Sequence, residues 1–214
     1  MNQETREKQV LERILSLKQM VQDGRSGPVE LHELGVCYYL IENFRSAAGF
    51  LADLVSQYPD YLEIAAAQSL RIFCLIQDGE LLEAEILLKE RLQMDPTNAT
   101  LLGMLAHVQE KTARVADAIH THRRILEIDP GNNNSRNSLG YLLALQGKKE
   151  QFGEALEHLK HAVSSKPDHP AYLDSLGMLL LKSGDRERAR KAFLKALSRS
   201  PENTVILDHL KDLM

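Results

Sequence analysis

The chain has 214 residues, of which 43% are hydrophobic, 26% charged and 5% aromatic, with 12 Gly and 7 Pro. That is too apolar for wholesale disorder and too poor in Gly and Pro for collagen or a linker. A net charge of −4 excludes a nucleic-acid binder built on a strongly basic face. No apolar run reaches the roughly 18–20 residues of a membrane span, so a soluble chain with no transmembrane segment is expected.

Residues 1–27 begin MNQETREKQV, a charged stretch without the apolar run of a secretion signal. Val10, Ile14, Leu17 and Val21 share one helical face, with Leu11 and Leu15 beside it, and Asp23-Gly24-Arg25-Ser26-Gly27 ends the helix. An N-terminal capping helix is expected; the rival reading is a partner-binding amphipathic helix.

From residue 28 onward one skeleton recurs. Segment 28–61 carries Leu31, Leu34, Gly35, Tyr38, Ala47, Leu51 and Pro59. Segment 62–98 keeps Gly79, Ala84, Leu88 and Pro96, but Arg71 and Ile72 stand where Leu and Gly belong. Leu62, Ala66, Leu70, Phe73 and Ile76 form a better apolar stripe there, which predicts a longer first helix in a shifted register. Segment 99–132 has Leu102, Leu105, Ala106, Ala118 and Pro130. Segment 133–169 has Leu139, Gly140, Leu143, Gly147, Ala155, Leu159, Ala162 and Pro167, with three extra residues at 148–150.

Segment 170–203 is the clearest. Leu173, Leu176, Gly177 and Leu180 mark a first helix, Gly184 a turn, Ala189, Phe193 and Ala196 a second helix, and Pro201 the end. Residues 204–214 restart the pattern with Leu207 and Leu210, as a C-terminal capping helix would.

This 34-residue pattern resembles the tetratricopeptide repeat over residues 28–203. The resemblance implies an all-α fold, a right-handed α-solenoid of antiparallel helix pairs: five repeats between two caps. Apolar residues at i, i+3, i+4 and i+7 give each helix one buried face, and small residues at the eighth and twentieth positions let the paired helices approach. Gly177 is therefore expected to face Ala189. No repeat buries its face alone, so neighbours must stack and the ends need covers.

Catalytic chemistry is not evident. A phosphate-cradling Gly-rich loop, GxSxG and HExxH are all missing. Cys37 and Cys74 cannot make a disulfide framework or a four-thiolate zinc site, and they read as packing thiols. His158 and His161, with Glu154 and Glu157 nearby, could hold a metal; exposed histidines on an outer helix are the favoured reading. His120 and His122, two apart, should point away from each other. No enzyme activity, cofactor or metal is expected.

The resemblance places a partner-binding groove along the first helices. Its candidate residues are His32, Val36, Tyr39 and Leu40; His107; Asn134, Asn137 and Tyr141; and Asp174, Met178 and Leu181. Gly103, Glu110 and Lys111 fall at further groove positions. The carboxylate clamp of co-chaperone repeats is missing, because His32, Val36, Gly103 and His107 occupy its positions. An apolar strip of a protein or peptide is the expected partner.

Residues 137–212, including DSLGM and ILDHLKDL, further resemble bacterial envelope-associated repeat proteins. The leading expectation is a cytoplasmic, non-catalytic scaffold that assembles a bacterial multiprotein or envelope-associated complex. A periplasmic fragment with its export signal removed is the alternative location. A chaperone for an exported apolar subunit, or the recognition domain of a larger enzyme, are the alternative functions.

Charge is graded along the chain. Residues 1–132 hold 13 basic and 20 acidic side chains, and residues 133–214 hold 13 and 10. Arg188, Lys191, Lys195 and Arg199 form a basic stripe, while Glu4, Glu7, Glu12, Asp23, Glu30 and Glu33 gather at the other end. Weak head-to-tail self-association is therefore an expectation, with a solvated outer face as its rival.

Overall fold

The computed structural model describes the backbone of residues 3–213 and the side chains of residues 5–213; the side chain of Glu4 lies outside the described residues. Among them are twelve α-helices and no strand. The chain divides into two compact units, Met1–Pro96 and Thr97–Met214.

The first unit holds α1 (Gln3–Gln22), α2 (Pro28–Leu40), α3 (Phe44–Gln57), α4 (Ile64–Asp78) and α5 (Leu81–Met94). Its core begins where Ile14 and Leu17 of α1 meet Leu34 and Cys37 of α2, and Val10 and Val21 pack against this cluster. Leu11 and Leu15 stay exposed. A second cluster joins Leu31, Leu51, Leu54 and Ala67, tying α2, α3 and α4 together. Pairing is extensive between α2 and α3 and between α3 and α4, and sparser between α4 and α5.

The stripe expected for α4 is corrected in part. Leu62 is 94% exposed and Ala66 is also exposed, whereas Ala67, Ile72, Cys74, Leu75 and Ile76 are buried. The cause is local. The amides of Tyr61 and Ile64 donate to the carbonyls of Tyr58 and Tyr61, so a turn occupies 58–64 and the helix starts beyond Leu62. Arg71, facing the second helix of its pair, survives there through an ion pair with Glu83 at 2.5 Å.

The second unit holds α6 (Ala99–Lys111), α7 (Val115–Ile128), α8 (Asn133–Gln146), a 3-10 turn at Lys149–Gln151, α9 (Phe152–Ser165), α10 (Pro170–Lys182), α11 (Arg186–Arg199) and α12 (Thr204–Lys211). Helices α6–α7, α8–α9 and α10–α11 form close pairs, and α8 also packs on α10. Asn98, Asn132, Asp185 and Asn203 cap α6, α8, α11 and α12, each accepting from an amide in the first turn. For Asn98, Asn132 and Asn203 that is the physical use of the DPxN and PEN sequences between pairs.

Every hairpin turn needs one left-handed residue. Gly79, Gly147 and Gly184 supply it with φ of 87°, 69° and 91°, but Glu42 and Ala113 adopt 58° and 57° with a side chain attached.

Within α10 and α11, Ala189 is fully buried, but the group for which Gly177 makes room is the ring of Phe193 rather than Ala189. Helix α12 packs on this pair: Ile206 is 2% exposed and joins the cluster of Leu173, Met178, Phe193 and Ala196. Arg186 donates to the Leu213 carbonyl at 2.8 Å.

Candidate functional site

In the first unit the candidate residues of α2 separate into two places. His32 lies near the start of the helix, largely buried, with Nδ1 3.3 Å from the Tyr61 hydroxyl and 3.3 Å from Glu63. Val36 is half-buried between the two places. Tyr39 lies at the end of α2, its ring centroid 5.8 Å from Phe73 and 6.4 Å from Phe44. Together with Leu40 and Glu42 these rings wall a cleft of about 290 Å³. Phe44 and Phe73 were not among the sequence candidates. Phe44 belongs to a second helix, and the irregular register of α4 hid Phe73.

In the second unit a cleft of about 280 Å³ opens between α6, α7 and α8. Gly103, His107 and Glu110 line one side, Asn134 and Ser138 the other, and His122 the floor. His107 and Asn134 are exposed, while His122 is only 6% exposed. Its Nε2 lies 2.8 Å from Glu110 Oε1, which fixes the carboxylate against the cleft wall. Beside it the Thr121 hydroxyl donates to Gln109 at 2.8 Å, a buried polar pair. His120, two residues earlier, faces solvent.

His122 was not a groove candidate because it comes from a second helix. The sequence did carry a signal. Counting each repeat from its start, with the extra residues at 148–150 left out, the twenty-fourth position is Leu51, Leu159 and Phe193 in the first, fourth and fifth repeats, all fully buried. A histidine in that series breaks the core pattern.

Asn134 is oriented by the Tyr172 hydroxyl, which donates to its Oδ1 at 2.6 Å, leaving the amide NH2 for the cleft. Asn137 has a buried Oδ1 without a partner among the described residues. The half-buried Tyr141 phenol is pushed up, by burial first and then by the carboxylates of Asp174 and Glu110.

Three further candidates are less open than their positions suggest. Asp174 is 8% exposed and accepts from His209 Nδ1 at 2.9 Å. Met178 is 6% exposed beneath Ile206, and Leu181 is half-buried against the same cluster. Helix α12 therefore covers Asp174 and Met178, through His209 and Ile206.

The basic stripe on α11 is exposed and mostly paired internally. Arg188 meets Asp185 at 3.3 Å, and Lys195 and Arg199 both reach Asp168, at 3.3 and 2.8 Å; no carboxylate partner is found for Lys191 among the described residues.

Cys37 and Cys74 are buried, and burial raises both thiols, Cys74 to about 11. His158 is half-buried rather than exposed, beside Arg136 and Glu154, and burial followed by Arg136 lowers its pKa. Among the described residues no cluster of three or more His, Cys, Asp or Glu side chains is arranged for a metal, and no helix is long and apolar enough to cross a membrane.

Three family models, each described as tetratricopeptide repeat, match residues 31–61, 75–139 and 170–203, together more than half of the chain. Solved structures agree on the fold. A tetratricopeptide repeat protein from Parabacteroides merdae superposes with a TM-score of 0.74 at 17% identity, covering 87% of this chain and 72% of that one. YrrB, described as a TPR protein with an unusual peptide-binding site, gives 0.65 at 18% identity over 91% of this chain and 97% of its own. A thermophilic TPR protein of Thermus thermophilus gives 0.62 at 17% identity, over 87% and 98%. No curated protein matches the sequence.

Proposed function

We propose a function from one premise: the chain belongs to the tetratricopeptide repeat family. That family is in general a non-catalytic interaction module, and the chain is a protein–protein interaction scaffold. It holds a peptide or helix of its partner against the first helices of its repeats, with the cleft of α6, α7 and α8 as the principal contact. Assembly of a bacterial multiprotein complex is the role this reading gives it.

The observation that carries the reading is Gly103. It sits in the middle of α6 with ordinary helical geometry, and a Cβ placed on it would meet nothing within 4 Å. A glycine there costs roughly 0.8–1 kcal/mol relative to alanine. Neither a turn nor a packed neighbour requires it. What it provides is open space on the cleft wall, beside polar groups already held in place by His122 and Tyr172. The peptide-binding site named for YrrB is a property of that protein, and it makes a peptide ligand a reasonable first expectation here.

Affinity capture from the native proteome, with cross-linking and mass spectrometry, tests the reading using wild type and Gly103→Leu. The Cβ of the new side chain meets no atom within 4 Å, and the rest of it extends toward the cleft. One stoichiometric assembly held by wild type and lost in the variant is the expected result. Capture that Gly103→Leu leaves unchanged would remove the cleft from the function, and a broad set of aggregation-prone clients would point to a chaperone.

A further inference from the structure

A cavity of about 410 Å³ in the first unit lies between α3, α4 and α5. Its walls are Val55, Ile72, Leu87 and Met94, with Ala65 at one end. The helices that bound it, α4 and α5, pack on each other more sparsely than α3 and α4 do. Met94, 86% exposed, stands at its mouth. The volume falls in the range of small-molecule pockets, about 300–1,000 Å³, and so does the pattern of apolar walls with a few convergent polar groups.

Those polar groups have one chemical character. Arg91 spans from α5 to the start of α4, where Nη1 donates to the Ala65 carbonyl at 3.0 Å and to Gln68 Oε1 at 2.9 Å. No carboxylate pairs with it among the described residues, and its remaining N–H groups have no protein acceptor. Arg71 lines the same cavity, but one of its Nη groups is held by Glu83 of a neighbouring cleft, and its Nε, unpartnered among the described residues, is buried below the cavity surface. The acceptors are few. Gln68 Oε1 is already engaged, and Glu90 lines the cavity as an exposed residue.

A peptide backbone would bring N–H groups that find few acceptors here, and a cation would meet the unpaired guanidinium of Arg91. An apolar tail with a single carboxylate matches both the walls and the unfilled donors, since charge-assisted N–H···O bonds to a carboxylate are stronger than neutral ones. We propose that this cavity is a binding site for an aliphatic monocarboxylate, its chain lying between Ile72, Leu87 and Met94 and its head on Arg91. The site is independent of the cleft assigned to protein partners.

Decanoate, kept below its micelle concentration, is the probe. Methyl NMR on the intact chain should show saturable shifts at Val55, Ile72, Leu87 and Met94. Arg91→Gln should weaken decanoate about tenfold, the scale of one charge-assisted hydrogen bond, and leave decanol unchanged. Leu87→Trp should fill the cavity and abolish binding. Arg91→Lys, which keeps the charge, should retain most of the affinity; circular dichroism checks that each variant is folded. Non-saturable or scattered shifts would overturn the proposal. So would decanol or decyltrimethylammonium binding as tightly as decanoate, because the Arg91 guanidinium would then contribute nothing.

Discussion

The Cβ that Gly177 lacks would stand 2.5 Å from Cε1 of Phe193. The same clearance recurs under Leu51, 2.5 Å from a Cβ on Gly35, and under Leu159, 2.6 Å from one on Gly140. In three helix pairs, then, the eighth residue gives up its side chain so that the twenty-fourth can fill the space between the helices. Gly177→Ala adds helix propensity of about 1 kcal/mol but forces the ring to move within a fully packed core. A net loss of about 1–3 kcal/mol is expected in urea or thermal unfolding. Shrinking the ring should restore room, so Gly177→Ala with Phe193→Leu should cost less than the two separate losses combined. A Gly177→Ala protein as stable as wild type would mean that the ring has room to spare.

The hairpin turns give a second prediction with the opposite sign. Ala113 holds φ at 57°, where a Cβ crowds the following carbonyl at a cost of about 1–2 kcal/mol, and Glu42 does the same at 58°. The equivalent residues Gly79, Gly147 and Gly184 avoid that cost. Ala113→Gly should stabilise by roughly 0.5–1 kcal/mol after the added chain entropy of glycine is counted. The urea midpoint should rise with an unchanged slope; a fall would mean that Ala113 is not strained.

Much of this was legible because the repeat repeats. A glycine at the eighth position of several segments, a proline after each second helix and an asparagine or aspartate before a first turn are local signals with local causes. What escaped reading were effects of tertiary context. Leu62 lies outside its helix because backbone bonds at Tyr58 and Tyr61 make a turn that the apolar period could not reveal. Met178 and Asp174 sit at groove positions, yet Ile206 and His209 of α12 cover both, a long-range packing that the period of α10 could not reveal. His122 entered the cleft from the second helix, which a rule about first helices overlooks.

The covering of Asp174 has a pH consequence. Burial, the dominant influence, raises its pKa, while the bond from His209 pulls the other way. A carboxyl whose folded pKa is raised contributes stability fully below its unfolded pKa of about 3.9, and that stability is lost as pH rises through the folded value. Asp174→Asn cannot ionise and can still accept from His209. Its melting temperature relative to wild type should therefore improve between about pH 3.5 and pH 7. A difference that stays flat across that range would show that Asp174 does not ionise in a buried setting. His209→Ala at pH 7 should lower stability, since it leaves the carboxylate buried without its partner.

Gly103 separates a requirement of folding from a requirement of binding. Gly35, Gly140 and Gly177 are each pressed by a side chain from the paired helix, whereas a Cβ at position 103 meets open space. Gly103→Ala should therefore stabilise the protein by up to about 1 kcal/mol through helix propensity alone. Gly103→Leu should fold equally well with its side chain projecting into the cleft beside His107 and Glu110. If folding were the reason for the glycine, both variants would be destabilised, as the eighth-position glycines predict for themselves. If the cleft is the reason, stability rises in both, and partner capture falls mainly with Leu, because only the longer side chain occupies the space. Thermal unfolding and capture measured on the same two proteins decide between these accounts. A stable Gly103→Leu protein that still takes its partner would leave the open wall of α6 without a function in binding.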